Sequence, residues 1–160
     1  MPGARALSPI LSTMILLSAA LIAGFLLYTY FSSTMQGMIN TPSPVIEQAV
    51  YYPTIDVLYV KIRNYGGAPV PLENANITIM SKDAECKCSI SCPSSLKPSG
   101  LLTLKLSNTA SEASIPGCTV KCSISTACQE SLAAGNAYIV FEYLFGGSVQ
   151  STRPVGVTLG

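Results

Sequence analysis

The chain has 160 residues, of which 49% are hydrophobic and 11% are charged. Nine Lys and Arg against eight Asp and Glu give a formal net charge of +1, too weak a field to attract phosphates, so nucleic-acid binding is disfavoured. Histidine is absent, which removes the commonest general base and the commonest metal ligand at neutral pH. The length suits about one domain with an accessory segment, rather than a two-domain enzyme.

The N-terminal segment is apolar and carries no charge from residue 6 to residue 46. Residues 10–31 are apolar on every side of a helical projection, as expected for a helix in lipid or inside an assembly. Pro9 suits a first helical turn, and Pro42 disfavours continued helix. We therefore predict a hydrophobic assembly or membrane helix within residues 7–41; from Pro9 to about Ile39 it would be roughly 45 Å long, which is longer than the ~30 Å hydrocarbon core of a bilayer.

The rest of the chain alternates with a period of two, which is typical of half-buried strands. VLYVKIRN, NITIM and LLTLKL each place aliphatic residues on one face and polar residues on the other. AYIVFEYLF and SVQSTRPVGV flank Gly146 and Gly147, a connection suited to a tight hairpin turn. The first arm of that hairpin is apolar on both faces except at Glu142, which predicts that both of its faces are covered. These patterns predict an antiparallel β domain over residues 54–160, after a linker over residues 42–53.

Six cysteines form two groups in this domain: Cys86, Cys88, Cys92 and Cys118, Cys122, Cys128. The pentapeptide KCSIS occurs in both groups, which suggests two similar strands or loops stapled together. An even cysteine count indicates disulfides in an oxidising compartment, although sequence alone leaves the pairing open. Bridges between the groups are favoured, because each would restrain a loop of about 30 residues and contribute about 3 kcal/mol.

The sequence predicts no catalytic, cofactor-binding or metal-binding residues. The cysteine spacings match none of the usual zinc or cluster frameworks, and no nucleophile can be paired with a base. The acidic residues are interpreted as solvated faces and turns. Asn76 begins the triplet Asn76-Ile77-Thr78, which fits an N-glycosylation acceptor and points away from the apolar strand face.

The N-terminus also allows a secretion signal, and Ala20 ends a small-residue stretch that could be cleaved. Cleavage there would expose the apolar peptide LIAGFLLYTYF, which has no obvious place in a soluble protein. A plain signal anchor is physically adequate, with Arg5 on the cytoplasmic side. It does not explain why the helix is longer than a bilayer requires.

The order of a basic residue, a small residue and an aliphatic-Ser-Pro-aliphatic start resembles the class III signal of archaeal type IV pilins, particularly adhesion-pilus subunits. Arg5, Ala6 and Leu7 match the recognition pattern of the prepilin peptidase in that family. The resemblance implies that residues 1–6 are removed and that the mature chain begins at Leu7. Bacterial type IV pilins generally carry Glu at the fifth mature position, which is Leu11 here, so the resemblance is to the archaeal proteins.

The resemblance also implies an α+β fold, with a long N-terminal hydrophobic α-helix followed by a small antiparallel β-sandwich of the immunoglobulin-like kind. Its expected function is that of an extracellular pilus subunit at the cell surface, anchored in the membrane before it polymerises for adhesion. Its expected partners are identical subunits, prepilin peptidase and the pilus assembly machinery. Two alternatives remain open: a monomeric membrane-anchored binding domain, and a cysteine-based redox or metal protein.

Overall fold

A computed structural model describes the backbone of residues 9–160 and the side chains of residues 10–36 and 40–160. The chain divides into two compact units, and the division falls between Ile39 and Asn40. The first unit contains α1, Pro9–Ile39, a single α-helix of 31 residues. We call the second unit, Asn40–Gly160, the head. The structure therefore has the predicted α+β layout of an N-terminal apolar helix followed by a β domain.

The head contains eleven strands and one short helix among its residues. In chain order they are β1 Pro44–Tyr52, β2 Val57–Asn64, β3 Ala75–Met80, β4 Glu85–Ser91, β5 Leu101–Leu106, β6 Glu112–Ala113, β7 Thr119–Cys122, α2 Thr126–Ala133, β8 Tyr138–Phe145, β9 Ser148–Ser151, β10 Val155–Gly156 and β11 Thr158–Leu159.

The strands form two sheets. The first sheet has the order β11-β1-β2-β5-β6, and the second has the order β10-β8-β3-β4-β7 with β9 also paired to β8. Every pairing is antiparallel except that between β1 and β11, which is parallel. The antiparallel prediction is thus correct for all pairs but one. The immunoglobulin-like topology stays a prediction.

Both sheets contribute to one hydrophobic core. The predicted alternation is confirmed in β2, where Leu58, Val60 and Ile62 are fully buried, and in β5, where the leucines at 102, 104 and 106 are fully buried. In β3 the predicted isoleucines are buried, but Thr78 on the other face is buried as well. Phe141 of β8 is the largest fully buried side chain. Burying a side chain of this size stabilises the fold by about 1.5–3 kcal/mol, so the core alone gives the head a strong drive to fold.

Residues 44–52, which the sequence analysis placed in a linker, form strand β1. The linker prediction is corrected here, because β1 pairs with β2 along its whole length. A β-bulge between Ile46 and Gln48 disturbs the alternation, so that Ile46 and Ala49 are both buried with two outward residues between them. The bulge hides the period of two on which the sequence interpretation relied.

Helix α2 was also not predicted. It has only eight residues, of which Cys128 and Leu132 are buried one turn apart. The side chain of Ser125 accepts a hydrogen bond from the backbone N–H of Cys128 as the N-cap, and Gly135 follows the helix with φ +68°. These two end signals were present in the sequence, but the apolar pattern between them is too short to indicate a helix.

Candidate functional site

Helix α1 presents apolar surface in every direction. The side chains of residues 10–31 are all exposed in the isolated chain, and none of them is charged. The part from Ile10 to Gln36 is long and apolar enough to cross a membrane by length and composition. A surface of this kind is unfavourable in water, so the helix needs either lipid or other apolar surfaces around it.

Five Ser and Thr hydroxyl groups of α1 bond to carbonyl oxygens of the helix itself. Thr13 donates to the carbonyl oxygen of Ile10 at 2.9 Å, and Thr29 donates to that of Leu26 at 2.9 Å. Ser18, Ser33 and Thr34 donate to carbonyl oxygens three or four residues earlier in the same way. These bonds remove most of the cost of placing a hydroxyl in an apolar medium.

A patch of small side chains lies in the middle of the helix at Ala19, Ala20, Ala23 and Gly24. A Cβ added at Gly24 would meet nothing within 4 Å, so the patch is open to a neighbour. Small residues allow the backbones of two helices to approach closely, which strengthens packing between apolar helices.

The processing residues predicted from the sequence, Arg5, Ala6 and Leu7, lie outside the residues that the structure describes. Cleavage between Ala6 and Leu7 therefore stays a prediction.

Three disulfides staple the second sheet and α2. They join Cys86 to Cys128, Cys88 to Cys122 and Cys92 to Cys118, and no cysteine is left free. Each bridge links the first cysteine group to the second, which is the arrangement that the loop-entropy argument favoured. The pairs are nested, with sequence separations of 42, 34 and 26 residues.

Strand register explains the nested order. In the antiparallel pair of β4 and β7, Cys88 lies directly opposite Cys122, and Ser91 lies opposite Thr119. One more step along both strands brings Cys92 to Cys118, whose Cα atoms are 4.2 Å apart. The first KCSIS repeat lies in β4, whereas only Lys121 and Cys122 of the second lie in β7, opposite Ser89 and Cys88. The two repeats are therefore joined by the bridge between Cys88 and Cys122, but they are not two similar strands.

Asn76, the predicted glycosylation residue, lies in the central strand β3 of the second sheet and is half-buried. Its neighbours in the sheet are Ser89 on β4 and Glu142 on β8. Thr78, the hydroxyl residue of the same triplet, is almost completely buried, and its Oγ1 has no hydrogen-bond partner among the described residues. Glycosylation of Asn76 stays a prediction.

The Asn64 side chain makes several hydrogen bonds with backbone groups near the first residues of the head. This side chain is fully buried, and its Oδ1 accepts hydrogen bonds from the backbone N–H groups of Ser43 at 3.1 Å and Gly66 at 3.0 Å. Its Nδ2 donates to the carbonyl oxygens of Ala68 and Leu96. A side chain at position 66 would collide with the backbone of residues 41–43. The sequence analysis identified the turn that follows Asn64 but not its function as an anchor for the first residues of the head.

Two polar clusters include acidic residues that the sequence analysis treated as solvated. Asp56 accepts a hydrogen bond from the Tyr51 hydroxyl at 2.7 Å and another from the Gln129 amide at 2.6 Å, so it ties the β1–β2 turn to α2. Burial, together with the bond to Asp56, raises the pKa of Tyr51 to about 12. Asp56 lies in a turn, as predicted, and these bonds give it a structural contact that the sequence analysis did not identify.

The second cluster lies on the outer face of the first sheet. Glu47 Oε1 accepts from Tyr65 at 2.7 Å and from Arg63 Nε at 2.6 Å, and these two bonds, with that of Tyr65 the larger effect, lower the pKa of Glu47. Neither cluster combines a nucleophile with a base in a cleft, and both have the geometry of structural cross-links. Within residues 10–36 and 40–160, no group of His, Cys, Asp and Glu is arranged to hold a metal ion.

Comparison of the chain with family models, with curated proteins and with solved structures finds no match.

Proposed function

We propose that the protein is a structural subunit of an archaeal type IV-like pilus, which polymerises through α1 into a helical filament that serves adhesion. The observation that carries the proposal is a helix of 31 residues, of which residues 10–31 are apolar on every side, followed directly by a folded β domain. The N-terminal pattern at Arg5, Ala6 and Leu7 adds the resemblance to archaeal pilins.

The length of α1 favours a function beyond anchoring. Its ~46 Å exceeds the ~30 Å hydrocarbon core of a bilayer. In the membrane, lipid covers the helix; on assembly, equivalent helices of neighbouring subunits replace the lipid. Repeated heterologous contacts that do not close a ring generate a helical filament.

Charge supports the same assignment. Removal of residues 1–6 deletes Arg5 and leaves eight basic and eight acidic residues, all of them in the head. A bundle of α1 helices would then contain no side-chain charge, which avoids the cost of burying one. The disulfide-bonded heads would form the outer surface of the filament, where an oxidising environment keeps the bridges intact.

A monomeric, membrane-anchored extracellular domain is the second candidate, because α1 also meets the requirements of a single membrane span. The two candidates differ in the mature N-terminus and in the assembled state. A pilin begins at Leu7 and forms filaments, whereas an anchored domain keeps Arg5 and stays dispersed in detergent.

The experiment is to express the full chain with an archaeal prepilin peptidase, determine the mature N-terminus by mass spectrometry and image the product by electron microscopy. We expect a chain that begins at Leu7 and regular filaments with a helical core. Arg5→Glu should leave the chain uncleaved and abolish the filaments. Lys61→Glu makes the same charge change on the head and should leave both unaffected. Intact N-termini and dispersed particles in the unmodified protein would overturn the proposal in favour of the anchored domain.

A further inference from the structure

The outer face of the first sheet contains a depression of about 370 Å³, which we call the tyrosine pocket. Its volume lies in the range of about 300–1,000 Å³ that is typical of small-ligand pockets. The lining comes from β1, β2 and the turn between them, and consists of Gln48, Val50, Tyr52, Ile55, Tyr59 and Lys61. This lining contains one cation and no acidic side chain.

Two tyrosine rings form one corner of the tyrosine pocket. The ring centroids of Tyr52 and Tyr59 are 5.7 Å apart, and the ring planes are nearly perpendicular, at 89°. The backbone after β11 packs against Tyr52, because a Cβ added at Gly160 would lie 2.6 Å from the ring. Contacts with Tyr59 and Gly160 therefore hold the Tyr52 ring in place before any ligand binds, which lowers the entropic cost of binding.

The turn that borders the tyrosine pocket is also anchored. The backbone N–H of Ile55 donates to the carbonyl oxygen of Tyr52 at 3.3 Å. Asp56, the next residue, accepts hydrogen bonds from Tyr51 and Gln129. The pocket is thus built on two paired strands and a fixed turn, which is the kind of support that a preformed binding site needs.

The polar groups of the tyrosine pocket have no partners within the described part of the chain. The hydroxyl groups of both tyrosines, the amide of Gln48 and the ammonium group of Lys61 make no hydrogen bond or salt bridge with a described residue. On the same sheet face, Glu47 bonds to both Arg63 and Tyr65. Unpaired donors and acceptors beside an aromatic corner suit a ligand that carries hydroxyl groups.

Tyr59 also borders a second depression of about 350 Å³ on the same face. The lining of this depression includes Thr103, Lys105 and Glu112. Lys105 and Glu112 are opposite each other across the β5–β6 pair, so their charges offset each other. The Tyr59 ring therefore separates two neighbouring depressions, of which only the tyrosine pocket has an unbalanced positive charge.

An acidic sugar chain matches these features. One side of a pyranose ring carries C–H groups that can pack on an aromatic ring, and its hydroxyl groups can bond to amide, ammonium and phenol groups. A carboxylate on the sugar complements Lys61, which has no acidic group beside it in the pocket. A purely apolar ligand would leave the amide and the ammonium group unpaired, and a polyphosphate would need more than one unbalanced cation.

We propose that the tyrosine pocket binds a uronate unit of an acidic surface polysaccharide, and that the sugar chain continues across Tyr59 into the second depression. The uronate carboxylate bonds to Lys61, and the apolar side of its ring packs on Tyr52. This inference rests on the adhesive part of the proposed function and names the class of surface to which the protein adheres.

The test is titration calorimetry of the full chain in detergent, with trigalacturonate as the acidic probe and galactotriose as the neutral probe. We expect trigalacturonate to bind more tightly and to lose affinity as salt is added, because the ion pair with Lys61 is exposed to solvent. Lys61→Gln should lower its affinity about tenfold and leave the binding of galactotriose unchanged. Tyr52→Leu should weaken the binding of both probes.

The matched controls are Lys97→Gln and Tyr138→Leu. Lys97 is an exposed lysine that precedes β5, and Tyr138 is 55% exposed on the second sheet. Neither side chain lines the tyrosine pocket or the second depression. Both variants should bind trigalacturonate as tightly as the unmodified chain does.

Electron microscopy of the same preparations separates this inference from the assembly of the filament. Filaments that bind no trigalacturonate would overturn the inference and leave the pilus proposal intact. Equal losses of affinity for Lys61→Gln and Lys97→Gln would indicate a general charge effect and would also overturn it. Binding that requires Lys61 and Tyr52 in chains that stay dispersed would support the inference and overturn the filament.

Discussion

Helix α1 and the head differ in where their apolar side chains are removed from water. The head buries its aliphatic side chains in its own core and adds three disulfides. Residues 10–31 of α1 bury none of theirs within the chain. The head can therefore fold as a single copy in water, whereas α1 reaches a low free energy only when lipid or other subunits surround it.

This difference separates two kinds of stability in one chain. Changes in the head should alter the free energy of unfolding and leave the requirement for lipid or partners unchanged. Changes in α1 should alter insertion and assembly and leave the folding of the head unchanged. A variant that affects both would show that the two units are coupled.

The largest expected effect comes from the disulfides. The first bridge closes a loop of 26–42 residues and so lowers the conformational entropy of the unfolded chain. This raises the free energy of the unfolded chain by about 3.5–4 kcal/mol. Because the bridges are nested, each further one closes a much shorter ring and contributes about 2.5 kcal/mol. Reduction of all three should thus cost about 8.5–9 kcal/mol, as measured by denaturant unfolding of the head with and without reductant.

Replacing a single pair tests the nesting. Cys92→Ser with Cys118→Ser should cost only about 2.5 kcal/mol, since the other two bridges still close the long loop. A loss close to that of full reduction would contradict the nested account. In every case α1 should still insert into vesicles.

The helix and the presence of disulfides between the two cysteine groups were predictable from the sequence, whereas the individual partners were not. The uncharged apolar run before residue 46 is compatible with few structures, and its ends at Pro9 and near Pro42 are marked by proline. The clean alternation in β2, β3 and β5 gave the correct buried faces. Sequence alone could not choose the disulfide partners, because the choice depends on the register of β4 against β7.

The features that the sequence analysis missed depend on tertiary contacts, which leave only weak patterns in the local sequence. The bulge at Ile46–Gln48 breaks the alternation of β1, and α2 buries only Cys128 and Leu132. The parallel pair of β1 and β11 joins residues more than 100 positions apart. Among candidate functional residues, Asn64 was missed because a buried asparagine is recognised only from the backbone groups it bonds.

A charge in the middle of α1 should give the next largest effect. Leu21 is 67% exposed in the isolated chain, so Leu21→Arg should not destabilise the head. In lipid, the same charge costs about 2.5–3.5 kcal/mol at the centre of a spanning helix. We expect reduced insertion into vesicles and no filaments.

Ile55→Arg is the matched control, because Ile55 is 60% exposed on the head and remote from the helix connection. It should insert and assemble as the unmodified chain does. Normal filaments from Leu21→Arg would contradict the burial of α1 in the filament core.

The smallest expected effect concerns Tyr51. Its buried hydroxyl donates to Asp56, and Tyr51→Phe should cost about 1 kcal/mol at neutral pH through the loss of that bond. The pKa of Tyr51 is raised to about 12, while an unfolded tyrosine titrates near 10. The Tyr51 hydroxyl therefore stays protonated to a higher pH in the folded state than in the unfolded state. This contribution to stability is complete below pH ~10 and is lost as the pH rises towards ~12.

Urea unfolding of the head between pH 8 and pH 11 measures this loss, with those limits chosen to span roughly the onset of tyrosine titration. The advantage of Tyr51 over Tyr51→Phe should shrink as the pH rises. Tyr143→Phe is the control, because burial raises the pKa of Tyr143 but no hydrogen bond of its hydroxyl contributes. It should weaken the alkaline loss without the same cost at neutral pH. If Tyr51→Phe and the unmodified head declined in parallel, the bond to Asp56 would not hold the Tyr51 proton.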